Sequence, residues 1–254
     1  MSFSRRRAYT TSYYKSIVSI PHLHSETVNV WSHLFGTLWF CASATRFAGT
    51  ATSLFSPSAA AVLAYLIANV FCFACSTLYH VFADHAEADF WLRLDHLGIV
   101  CAIWASSISF VALSFSCQSG EQYLYTLFLT AAAALCSVRL LGNSQHSYSE
   151  RRSRISTYVT LGSLAILPAF RCWHLGRYSG LLTDFGTLVV INTLGGVIYA
   201  THLLDKAIGM KIGVPGASHH TMHVLAVAGA YVYEQGLVLA YQETSDVMCV
   251  NPVS

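Results

Sequence analysis

Residues 94–116 read LDHLGIVCAIWASSISFVALSFS, with one acid at position 95 and then 21 residues free of Asp, Glu, Lys and Arg. A helix needs about 20 apolar residues to cross the hydrocarbon core of a bilayer. This run has that length, and no soluble core helix requires it. Comparable runs recur at 28–47, 58–82, 122–142, 154–173, 181–204 and 220–241, separated by Gly, Ser, Pro and charged clusters. A segment in lipid must satisfy its own backbone hydrogen bonds, so the runs read as helices rather than strands. The expected fold is an all-α integral membrane bundle of seven transmembrane helices.

The composition points the same way. Of 254 residues only 10% are charged and 54% are hydrophobic, whereas a soluble domain carries about 25% charge. So little charge cannot cover a soluble globule of this size. It argues against a soluble enzyme, a disordered chain and a nucleic-acid binder. Seven spans consume about 140 residues, which leaves no room for a sizeable soluble domain. The expected organisation is a basic cytosolic segment at 1–27, the helical domain at 28–241 and an outer tail at 242–254. The first apolar run starts near Val28, behind Arg5, Arg6, Arg7 and Lys15, too late for a secretory signal. The Cys72/Cys75 pair sits in an apolar run and reads as packing. Cys117 and Cys172 fall on one membrane face and could pair.

Lys and Arg set the orientation. With the N-terminus in the cytosol, the inner side holds Arg5, Arg6, Arg7, Lys15, Arg93, Arg139, Arg151, Arg152, Arg154, Lys206 and Lys211, and the outer side only Arg46, Arg171 and Arg177. This N-in, C-out topology is opposite to that of G-protein-coupled receptors. No lysine lies mid-helix to form a retinal Schiff base.

Ionisable residues are costly in membrane helices and mark working sites. Ser76 and His80 lie four apart at the inner end of the second run, Asp95 at the inner start of the third, and His219 and His223 four apart at the inner start of the seventh. Topology assigned from Lys and Arg alone thus brings them to one depth. Histidines at i and i+4 can share one metal ion, and a third from another helix completes a three-nitrogen site with an open position for water. The donor set favours zinc. Asp95 would be a fourth ligand or would hold the water as base, with Ser76 hydrogen-bonding near the same oxygen. The plainer alternative is a set of interfacial histidines solvated by headgroups. His33 reads as interfacial, and His85 and His220 as bystanders. Asn192 reads as an interhelical hydrogen-bonder, and Glu234 as a contact for a polar substrate group or a partner of a tyrosine such as Tyr231. Both are candidates for lining a substrate cavity.

Glu26-Thr-Val-Asn29-Val-Trp31-Ser32-His33-Leu-Phe-Gly36, then Ser76-x-x-x-His80, Asp95 with Gly98, and Ser218-His219-x-x-x-His223 resemble, in order, the motifs of the progestin and adipoQ receptor family, the hemolysin III-related proteins. The resemblance covers about residues 22–241. It implies a zinc ion near the inner face held by His80, His219 and His223, with Asp95 holding the water and Ser76 beside it. It implies either ceramidase-like amide hydrolysis or a receptor for an adipokine-, steroid- or defence-protein-like ligand with structural zinc. Links to zinc and sterol homeostasis are also implied. The expected partner is a membrane lipid, ceramide-like or sterol-like, as substrate or ligand. The loop at 142–154 is a candidate surface for a cytosolic partner, or simply a positive-inside anchor. Tyr233-Glu234-Gln235-Gly236 departs from the usual text of the seventh helix, so the substrate cavity is expected to differ.

Overall fold

The computed structural model describes residues 7–51, 53–142, 148–176, 180–209 and 216–245, without the side chains of 148–152, 208–209 and 244–245. A short helix α1 (Tyr13–Val18) precedes seven long ones: α2 (Thr27–Thr50), α3 (Pro57–Val81), α4 (Ala88–Ser114), α5 (Ser119–Gly142), α6 (Tyr148–His174), α7 (Gly180–Thr201) and α8 (Ala217–Ser245). Among the described residues there is no strand, only an isolated bridge between Thr10 and His85. Six of the long helices are apolar enough, as well as long enough, to cross a membrane. The remaining one, α2, has the length at 24 residues. Its inward face carries the buried Asn29, His33 and Ser43, which lower its hydropathy while serving the interior.

Local chemistry sets the helix starts. Ser56 caps α3 by accepting from the backbone N–H of Ala59, and Pro57 occupies the first helical position, where its missing N–H is not needed. The core is aromatic, built from Phe40, Phe47, Tyr65, Phe73, Phe110, Phe185 and Tyr233. The closest packing is between α3 and α4, α7 and α8, and α2 and α3. Gly98 is one reason α3 and α4 approach so tightly, since a Cβ there would stand 2.8 Å from Cys72 Cα. That contact is with backbone, which cannot swing aside. Gly98→Ala is therefore expected to destabilise the protein by about 1–3 kcal/mol through overpacking. A melting temperature in detergent equal to wild type would show that the two helices separate freely.

The basic N-terminal segment is tied to the bundle by specific contacts. Arg7 Nη2 donates to the carbonyl of His80 at 2.7 Å and Nη1 to that of Val81 at 2.8 Å. Nη1 also donates to Ser19 Oγ at 3.0 Å, and Nε to Asp84 Oδ2 at 2.9 Å. One guanidinium so satisfies the last carbonyls of α3, which have no partner inside the helix. Nearby, the Thr10 N–H donates to the Asp84 carbonyl, the Ala86 N–H donates to that of Thr10, and Tyr13 stacks on His85. Arg7→Ala is expected to destabilise by about 2 kcal/mol, as lost charged hydrogen bonds do. Arg7→Lys should not restore it, because an ammonium lacks the planar fork. Thermal melting of the two variants checks both statements.

Cys117 is disulfide-bonded, whereas Cys172 is buried and not part of a disulfide. The pairing of these two cysteines that topology permits is therefore not made. Of the expected loop at 142–154, residues 148–154 instead open α6 and 143–147 lie outside the described residues, as does the tail beyond 245.

Candidate metal centre

The histidine end of the bundle is where α2, α4 and α8 begin and α3 finishes. Alternation of chain direction puts these four termini on one side, and the side chains converge there. His80 comes from the last turn of α3, and His219 and His223 from the first two turns of α8. Each offers a ring nitrogen within 4.8 Å of the other two. His219 Nε2 and His223 Nε2 stand 2.9 Å apart. His80 and His223 are almost fully buried, and the Nε2 of His80 is buried with no hydrogen-bond partner. Such an atom carries a desolvation penalty unless something occupies the space in front of it.

Three imidazoles, one with an orphaned buried nitrogen aimed at the others, suit a borderline cation such as zinc. Among the described residues the cluster has three members, and Asp95 is not one of them. Of the two roles open to Asp95, the geometry therefore favours the one beside the ligands. Asp95 is buried on α4, next to Ser76 and His80. The Ser76 hydroxyl is buried beside the Asp95 carboxyl.

Sequence reasoning missed a second layer behind the ligands. His33, expected at the interface, is 5% exposed and packs on the ring of His223, its Nε2 2.8 Å from His223 Nδ1. Glu26, just before α2, places Oε2 2.8 Å from His80 Nδ1. Asn29 donates to the same oxygen at 3.0 Å. Burial alone would raise the Glu26 carboxyl, but the hydrogen bonds from His80 and Asn29 hold it down at about 2. The signal was present in the sequence as spacing: 26, 29 and 33 are i, i+3 and i+7, one helical face. His85 and His220 stay outside the cluster, His85 stacked on Tyr13 and His220 with its Nε2 3.0 Å from the carbonyl of Ser25.

The two deeper candidates behave differently. Glu234 is buried and accepts a 2.7 Å hydrogen bond from the indole N–H of Trp39, rather than pairing with Tyr231. Trp39 in turn meets Tyr231 edge-to-face. Asn192 shares the register of Leu188 and Gly195, which are buried on α7. Yet Asn192 is itself exposed, and it makes no side-chain hydrogen bond among the described residues. It does not join two helices as expected.

A model of the haemolysin-III-related family matches residues 21–233, most of the chain and every element of the histidine cluster. The chain belongs to the haemolysin-III-related family. It is 27% identical over 253 residues to progestin and adipoQ receptor family member 3 of Mus musculus, covering 94% of this chain and 80% of that protein. It is 26% identical over 246 residues to the ADIPOR-like receptor IZH2 of Saccharomyces cerevisiae, covering 92% and 77%. To the adiponectin receptor protein of Drosophila melanogaster it is 25% identical over 230 residues, covering 86% of this chain. It spans only about half of that protein's length, 51%. With family and hydropathy in agreement, this haemolysin-III-related chain is an integral, multi-pass membrane protein.

Proposed function

We propose that this chain is a zinc-dependent hydrolase of membrane lipid amides, ceramidase-like in its reaction. The observation that carries the proposal is the buried histidine triad, three ligands and no fourth among the described residues. A catalytic zinc site keeps such a vacancy and a structural one fills it. When bound, zinc supplies Lewis acidity at an amide carbonyl and lowers the pKa of water to near 7. Everything else falls to the chain's own side chains. His80, His219 and His223 hold the ion. Asp95 takes the proton from the attacking water and passes it to the amide nitrogen as the C–N bond breaks. One amide and one water thereby give one fatty acid and one amine. Ser76 donates a hydrogen bond to the carbonyl oxygen, where charge develops as water adds to the carbon. The acyl chain enters from the bilayer and needs no aqueous route.

The disulfide at Cys117 supports placing the far end of the bundle on an oxidising side of the membrane, and the histidines on the cytosolic side. The receptor reading has one support of its own: the mouse, yeast and fly relatives are all named as receptors. In that reading zinc is structural, and a cytosolic partner would be recruited at 142–154.

Purified protein in detergent separates the two readings. Elemental analysis should give about one zinc per chain, and a short-chain fluorescent ceramide should be hydrolysed. Zinc without hydrolysis would leave the receptor reading standing. No metal at all would overturn the site.

A further inference from the structure

Two of the three triad histidines have their second ring nitrogen held by a residue at the start of α2. His80 Nδ1 faces Glu26 Oε2 at 2.8 Å. A carboxylate only accepts, so the hydrogen sits on Nδ1 and the lone pair on Nε2. That Nε2 is buried and unpartnered, and His80 offers a ring nitrogen within 4.8 Å of one on each of His219 and His223. His223 presents Nε2 to His219 at 2.9 Å and turns Nδ1 to His33 at 2.8 Å. For His223 to offer a lone pair at Nε2 it must donate from Nδ1, and His33 is then the acceptor. Asn29 lies between these two contacts and holds Glu26 in place at 3.0 Å. Residues 26, 29 and 33 fall on one helical face, so a single rigid element reaches both ligands.

We infer that Glu26 and His33 are the positioning residues of the metal centre, fixing His80 and His223 in the tautomer and ring orientation that present Nε2 to the ion. This rests on the triad being a metal site. Partners of this kind typically set metal affinity over 10–100-fold. They do so by holding the imidazole in the binding tautomer and raising its basicity. Neither side chain belongs to the ligand cluster, so neither loss should abolish binding.

The test is zinc affinity, by chelator competition on the full chain in detergent, with no lipid substrate present. Glu26→Gln should weaken zinc about 10-fold and Glu26→Ala up to about 100-fold. His33→Ala should weaken it within the same range, and His33→Gln, which keeps an acceptor, should recover most of the loss. Ser32→Ala, on the neighbouring face of α2, should bind as wild type. With cobalt in place of zinc, the visible absorption band should shift in Glu26→Gln, because the His80 donor has changed. Wild-type zinc affinity and an unshifted cobalt band in these variants would overturn the inference while leaving the metal site intact. So would variants that only lower the metal-free melting temperature, because that result marks packing alone. A wild-type chain that takes no metal would instead sink the site itself, and this inference with it.

Discussion

Asp95→Asn is expected to keep zinc and to lose turnover, by about 10²–10⁴-fold in kcat/KM. The substitution is nearly isosteric, so the contact of α4 with α3 at Gly98 and Cys72 is undisturbed. Asp95 lies outside the ligand cluster, so removing its charge leaves three imidazoles in place. What disappears is the group able to accept a proton at that position. An amide oxygen accepts a hydrogen bond but takes no proton near neutral pH, so water would still bind and orient but would not be activated. The measurement is ceramide hydrolysis alongside elemental analysis of the same preparation. Hydrolysis at the wild-type rate would remove Asp95 as the base. Loss of zinc together with activity would move it into the ligand set.

The expected counterpart is Ser76→Ala, a smaller loss. Its buried hydroxyl, beside Asp95, would contribute one hydrogen bond to a developing charge rather than the proton transfer itself.

Much of this architecture was legible before any coordinates. The seven apolar runs became seven long helices because hydropathy and backbone satisfaction leave little choice in lipid. The convergence of His80, Asp95, His219 and His223 follows from the alternating direction of consecutive helices. What the residues did not reveal is instructive. Arg7 looked like one of several interchangeable positive charges, yet it binds two carbonyls of α3. Nothing in its neighbours announces that contact, which spans 73 residues. His33 looked interfacial because it stands alone in an apolar run. Its role depends on α2 and α8 packing side by side, a tertiary fact. Glu26 was hidden for another reason: it precedes the helix, and acids at helix starts are common through the macrodipole alone. Glu234 shows the limit of reasoning from cost. A mid-membrane acid needs a partner, but the sequence could not tell Trp39, 195 residues away, from the nearer tyrosines.

His219→Ala combined with His223→Ala is expected to take the zinc content from about one ion per chain to none, and hydrolysis with it. One imidazole cannot hold the ion against water in a site that normally supplies three. The change should also appear in stability without any substrate. A ligand that binds only the folded state adds about 4 kcal/mol at a thousandfold excess over its Kd. Zinc should therefore raise the melting temperature of wild type and leave that of the double variant unmoved. The neighbouring histidine supplies the control. His220 lies between the two, is itself buried, and uses its Nε2 against the Ser25 carbonyl rather than the cluster. His220→Ala should lose packing between α8 and the entry to α2, yet keep its zinc. A double variant that retains stoichiometric zinc would place the ion elsewhere in the bundle. A His220 variant that loses zinc would mean that any damage to the start of α8 empties the site. Zinc lost in the first case and kept in the second is a pattern that packing damage does not produce, because both substitutions disturb the same turn of the same helix.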